Sequence, residues 1–196
     1  MRLPSSAHIA QPWRIHDIAG DFAVGDVWEL PTPGGPDDLA RLVAQFAYGA
    51  DPSSTLPRLL FAVRWKLGAL FGWDRPGTGI GDRVTSLRDR LPADLRDGPR
   101  GPDLRAFPFT SVYQTRDEWV AESANQTVHA VMHIGWVSDG RGGFRGQLAV
   151  LVKPNGLGGA MYMAAIKPFR YAGVYPAMIR EIGRRWQSTP HEITAA

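Results

Sequence analysis

Cysteine is absent from all 196 residues, which excludes disulfide scaffolds, thiol nucleophiles and cysteine-based zinc centres. Lysine is nearly as scarce. Of 22 basic residues only Lys66, Lys153 and Lys167 are not arginine, and 19 acidic residues leave a formal net charge of +3. No block of five like charges occurs, and the densest basic stretch, Arg83 to Arg105, is interleaved with Asp89, Asp94, Asp97 and Asp103. A nucleic-acid surface needs an uncompensated stripe of cations to displace counterions from phosphates, so no nucleic-acid partner is expected. Long apolar runs are missing too. Met1 to Ile18 carries Arg2, His8, Arg14, His16 and Asp17 and lacks the apolar core of a secretory signal, which points to the cytoplasm. The most apolar segment, Leu56 to Trp73, is broken by Arg58, Arg64 and Lys66. Charges at a bilayer centre are very unfavourable, so this segment reads as an amphipathic helix and no membrane span is expected.

With 44% hydrophobic and 21% charged residues, the chain has the composition of one globular domain rather than of a disordered, fibrous or membrane protein. A domain of this length buries roughly 70% of its unfolded surface, enough for a core without metal or disulfide staples.

Phe22 to Leu30 alternates with Phe22, Val24, Trp28 and Leu30 on one face, the period of a half-buried strand. Proline and glycine from Pro31 to Pro36 end it, and Asp37 is placed to cap a helix running to about Tyr48, with Leu39, Leu42, Val43 and Phe46 on its apolar face. A second helix is expected after Pro57, its stripe made of Leu60, Val63, Leu67, Leu70 and Phe71. From Arg83 to Pro108 the composition is that of a long surface excursion, with one short helical turn near Leu87. Five alternating runs then follow: Phe109 to Thr115, Trp119 to Asn125, Thr127 to Val137, Phe144 to Lys153 and Ala160 to Lys167. Short turns separate them, which implies an antiparallel meander. Beyond Pro168, Val174, Tyr175, Met178, Ile179, Ile182 and Trp186 fall on one side of a final helix, opposite Arg180, Glu181, Arg184 and Arg185.

One strand, two helices, a run of antiparallel strands and a long C-terminal helix predict an α+β chain. The order is that of a helix-grip architecture, in which a curved antiparallel sheet wraps the last helix around an apolar cavity.

The wording of several segments points the same way. Gln11-Pro12-Trp13-Arg14-Ile15, Asp26-Val27-Trp28, Arg64-Trp65-Lys66-Leu67-Gly68, Asn125-Gln126-Thr127-Val128-His129, His133-Ile134-Gly135-Trp136-Val137, Val152-Lys153-Pro154-Asn155-Gly156 and Ile166-Lys167-Pro168-Phe169-Arg170 resemble a bacterial family of unknown function, DUF2867. The resemblance spans about residues 9–187, which implies a single domain there with flexible tails at 1–8 and 188–196. It further implies similarity to the START and Bet v 1 group of helix-grip proteins. Some members look like extensions of nucleoside-diphosphate-sugar epimerase-like proteins, and this chain would be a stand-alone version. The resemblance carries no catalytic residues and no cofactor.

The candidate site residues each have a simpler reading beside the functional one. His129 and His133 have the spacing of a metal pair only on a helix; on a strand their rings stand roughly 13 Å apart, too far to share an ion. The apolar residues Val128, Ala130, Met132, Ile134 and Trp136 send both histidines to the other, polar or interface face. No metal site is expected. A serine hydrolase has no support, because no G-x-S-x-G elbow occurs, and the glycine clusters Gly77 to Gly81 and Gly140 to Gly143 lack the lysine of a phosphate loop. Asp26, on the face of Val24 and Trp28, is the weak candidate for a general acid or base; a solvent-facing or arginine-paired carboxylate is the simpler reading. Glu118 and Glu122 alternate together on the polar side of their strand. Trp28, Trp119, Tyr162, Tyr175 and Met178 are the candidates to line a ligand cavity, with core packing the simpler reading for any one of them. Ala160 to Ile166 is apolar on both faces, which suggests a covered surface for self-association.

The leading expectation is a module that binds a small apolar or amphipathic molecule between sheet and C-terminal helix, without a cofactor. The alternatives are an acid–base cyclase, dehydratase or isomerase acting on an enclosed apolar substrate, and a regulatory module partnering an epimerase-like enzyme.

Overall fold

A computed structural model of the chain describes residues 1–49, 80, 84–104, 108–125, 128–155 and 175–188. In chain order these form β1 (Arg2–Leu3), α1 (Ser6–Ile9), α2 (Ile15–Ile18), β2 (Ala23–Glu29), α3 (Leu39–Tyr48), a 3-10 turn (Leu87–Arg90), α4 (Ala93–Arg96), β3 (Thr110–Gln114), β4 (Glu118–Ala124), β5 (Val128–Ser138), β6 (Phe144–Pro154) and α5 (Tyr175–Ser188). The strands make one open, six-stranded antiparallel sheet in the order β1-β2-β6-β5-β4-β3. The chain is α+β. The helix expected after Pro57 and the strand expected at Ala160 to Lys167 lie outside the described residues. Among the described residues no helix is long and apolar enough to cross a membrane.

Strands β3 to β6 form the expected meander because short polar turns interrupt long alternating runs. In the β5–β6 turn, Gly140 and Gly142 take φ values of 74° and 91°, which side chains disfavour, while Asp139 Oδ1 accepts the N–H groups of Arg141 and Gly143.

Both faces of the sheet are buried. Face A carries Val27, Val120, Val131 and Ala149, and is covered by Trp13, Ile15, Ile18 and Phe22 of the N-terminal segment and by Leu87, Leu91 and Leu95. The two covering segments are linked by Arg14–Asp94 and Arg90–Asp21 ion pairs, each 2.6 Å long. Face B carries Trp28, Trp119, Ile134, Trp136 and Leu148, and is covered by Leu39, Leu42 and Val43 of α3 and by Ile179, Ile182 and Trp186 of α5. Arg41 and Gln45 of α3 donate to the carbonyls of Trp186 and Ile182, which holds α3 beside α5.

The structure corrects three expectations. Residues 1–8 are not a tail: β1 pairs with β2 and His8 is fully buried. The stretch after Val84 is not a surface excursion, since Leu87, Leu91 and Leu95 recur every four residues and bury into face A. Arg100, Asp103, Arg88 and Pro99 of the same stretch bond the outer edge of β3: Arg100 Nε–H donates to Ser111 O, Arg88 to Val112 O, Ser111 N–H to Asp103 Oδ1 and Gln114 N–H to Pro99 O. Asp37 does not cap α3; it pairs with Arg116, and Asp38 precedes the helix with its carboxylate accepting Gly35 N–H.

Candidate functional site

The densest polar chemistry lies where the sequence pattern predicted a polar or interface surface. Glu118 and Glu122 on β4 and His129 and His133 on β5 all point into face A, and none is more than 2% exposed. The register pairs Val120 with His133 and Ala124 with His129, so each histidine reaches diagonally to a glutamate: His133 to Glu118 at 3.0 Å and His129 to Glu122 at 2.8 Å. The two histidines do not meet. Four residues separate the members on each strand, and the same Glu–His unit is built twice.

Each carboxylate also receives the start of a covering segment. Glu118 accepts the N–H of Arg14 at 2.7 Å and of Ile15 at 3.4 Å. Glu122 accepts the Ser86 hydroxyl and the N–H of Leu87. Apart from the Ser86 hydroxyl, these donors are backbone N–H groups at the first turns of α2 and of the 3-10 turn, which have no carbonyl partner within their own helices.

The Glu118 unit is longer. His8 of α1 lies against His133, with Nε2 of His8 3.1 Å from Nδ1 of His133. An ionised carboxylate only accepts, so His133 carries its proton on Nε2. Burial pushes the His133 pKa down despite the opposing pull of Glu118, which keeps the ring neutral with a lone pair on Nδ1. His8 Nε2–H therefore donates to that nitrogen, and the His8 lone pair sits on Nδ1. Burial, reinforced by His133 and His16, pushes His8 down to about 3. Trp13 packs edge-on against His133 with ring centres 5.1 Å apart, and lies directly over Gly135, where a side chain would collide with its ring. Burial and the nearby Glu118 carboxylate raise the Tyr113 phenol well above its ordinary value.

Of the other candidates, Asp26, Trp28, Trp119 and Met178 lie on the opposite side of the sheet. Asp26 is buried there beside Trp28, but Val24 is not with them: a register shift between Val24 and Asp26 turns Val24 onto face A. Trp28 and Trp119 are buried in the face B core, and Trp119 Nε1–H donates to Ser111 Oγ. Met178 is half-buried at the margin of that core. Tyr162 and the side chain of Tyr175 lie outside the described residues. Two open grooves flank α5. One, about 460 Å³, is lined by Pro31, Ala177, Arg180, Gly183, Arg184 and Gln187; the other, about 430 Å³, by residues that include Arg41, Tyr48 and Arg185.

A family model described as protein of unknown function, DUF2867, matches residues 18–177. The chain belongs to the DUF2867 family. Glu118, Glu122, His129 and His133 fall inside the matched segment of this DUF2867 domain, whereas His8, Trp13 and His16 precede it. No curated protein and no solved structure matches the chain.

The sequence pattern missed His8 and His16 as site residues, because face A is covered by sparse apolar anchors instead of a regular amphipathic stripe. Trp13, Ile15 and Ile18, three large apolar residues within six positions, were the available signal.

Proposed function

We propose that this DUF2867 domain binds a small apolar or amphipathic molecule between its sheet and α5, in the manner of a helix-grip protein. The observation that supports it is the make-up of face B. Trp119, Trp136 and Trp186 have their indole N–H groups bonded to Ser111 Oγ, Gly35 O and Pro33 O, so toward their neighbours they offer apolar ring surface. Around them Phe46, Phe109, Met132, Phe144 and Met178 are only partly buried, and methionine adapts to irregular ligands. Arg180, exposed on α5 in the groove with Pro31, favours an acidic head group.

Native mass spectrometry of freshly purified protein, followed by titration with dodecanoate and dodecanol under tryptophan fluorescence, tests this reading. A retained molecule, or saturable binding stronger for the carboxylate, is expected. Absence of both would overturn it.

A second reading, an acid–base enzyme on an enclosed apolar substrate, is favoured by the buried carboxylate of Asp26 beside Trp28 on the same face. Unchanged turnover of an identified substrate by Asp26→Asn would remove Asp26 from the mechanism.

A further inference from the structure

Face A holds polar atoms that its Glu–His units do not use, and they gather around α1 and α2. His8 Nδ1 and His16 Nε2 are both buried and make no hydrogen bond. The two rings stand 5.1 Å apart between centres. Nearby, Gln147 donates through Nε2 to Ala7 O of the segment bearing His8, and its amide oxygen is likewise buried without a partner. His8 is fixed through its other nitrogen by His133, which Glu118 fixes in turn.

We propose that His8 Nδ1 and His16 Nε2 form a binding site for a borderline divalent cation of the zinc class, with Gln147 Oε1 as a further donor. Two imidazoles bonded to one tetrahedral ion at about 2.0–2.1 Å hold their ring centres roughly 5 Å apart. That spacing also suits plain ring packing. What selects the metal is that both nitrogens lack partners while the His8 ring is oriented, through its remaining N–H, by a carboxylate-backed chain. Outer hydrogen bonds of this type fix the tautomer and orientation of metal-binding histidines. The oxygens of Glu118 are already taken by Arg14 N–H, Ile15 N–H and His133, so Glu118 supports the site without ligating. Among the described residues no three His, Asp or Glu side chains converge to hold an ion. The centre is thus an incomplete one, in which solvent or a ligand fills the remaining positions. Magnesium and calcium prefer oxygen-rich sites and are not expected there.

The test uses the full chain without an affinity tag, stripped by a chelator. Cobalt is titrated under visible spectroscopy, and zinc under calorimetry and thermal unfolding. One equivalent, cobalt bands of four-coordinate intensity and a raised Tm are expected. His16→Ala should abolish all three. His16 lies outside the hydrogen-bonded chain, so this variant should keep the wild-type circular dichroism spectrum. Glu118→Gln should weaken binding by about 10–100-fold through the lost orientation of His8. His191→Ala, in the C-terminal segment, should change nothing. No stoichiometric binding, binding undiminished in His16→Ala, or loss of binding in His191→Ala would each overturn the proposal.

Discussion

Glu122 on β4 and His129 on β5 face each other across the diagonal of their strand pair, 2.8 Å apart and sealed from solvent. Burial alone would raise the Glu122 pKa. The hydrogen bonds from His129, Ser86 and Leu87 N–H outweigh it and hold the carboxyl below its ordinary value. A carboxyl depressed in the folded state stabilises above its unfolded pKa of about 4.3, and that stability is lost as pH falls through the folded value. Urea midpoints measured from pH 6 to pH 3 should fall more steeply for the wild type than for Glu122→Gln. Parallel slopes would show that this carboxyl does not contribute.

The contact of Trp13 with Gly135 gives a steric test. A Cβ on residue 135 would stand 2.5 Å from Trp13 Cζ2. Gly135→Ala should therefore lift Trp13 off the sheet, destabilise the fold by about 1–3 kcal/mol and shift tryptophan emission. A variant as stable as the wild type would mean that the N-terminal segment does not rest on face A.

Positions on α5 should separate by burial. Ile182 is 8% exposed in the face B core, and Ile182→Ala should cost about 2–5 kcal/mol. Met178 is only half-buried at the margin of the same core, so Met178→Ala should cost less. Thermal unfolding of the two variants decides the order, and the reverse order would place Met178 in tightly filled core.

Removing residues 1–10 takes away β1, Leu3 and His8. His133 Nδ1 then loses its donor inside face A, and the face A core loses the packing of Leu3. A loss of at least about 3 kcal/mol is expected from the unmade bond and the uncovered apolar surface. An unchanged denaturation midpoint would return these residues to the status of a tail.

The sheet was legible where alternation and turn chemistry agreed. Strands β3 to β6 fall where Thr, Val, Trp and Ile alternate between polar turns, and α3 and α5 follow their apolar stripes. The same alternation misled at Glu118, Glu122, His129 and His133. It identifies an in–out pattern only when one face meets water, and here both faces are covered. Polar side chains on face A are accommodated by pairing with each other and with the backbone at the start of α2 and of the 3-10 turn. At Val24 a bulge resets the period, so Val24 and Asp26 end on opposite faces although their spacing says otherwise. The candidate metal donors were illegible for a different reason. His8 and His16 become neighbours only because two four-residue helices fold back over β5, a tertiary event without a local period.

Strand β3 ends the sheet on one side, yet its outward N–H and C=O groups at Ser111, Val112 and Gln114 already have partners in Arg88, Pro99, Arg100 and Asp103. These four residues stand in for a seventh strand without having the shape of one. A polymerising neighbour seeking an open ladder would have to strip off two arginines and an aspartate before adding its first rung. This border is thus protected against stacking copies of the chain into a growing ribbon, by side chains that would read in the sequence as ordinary surface charge.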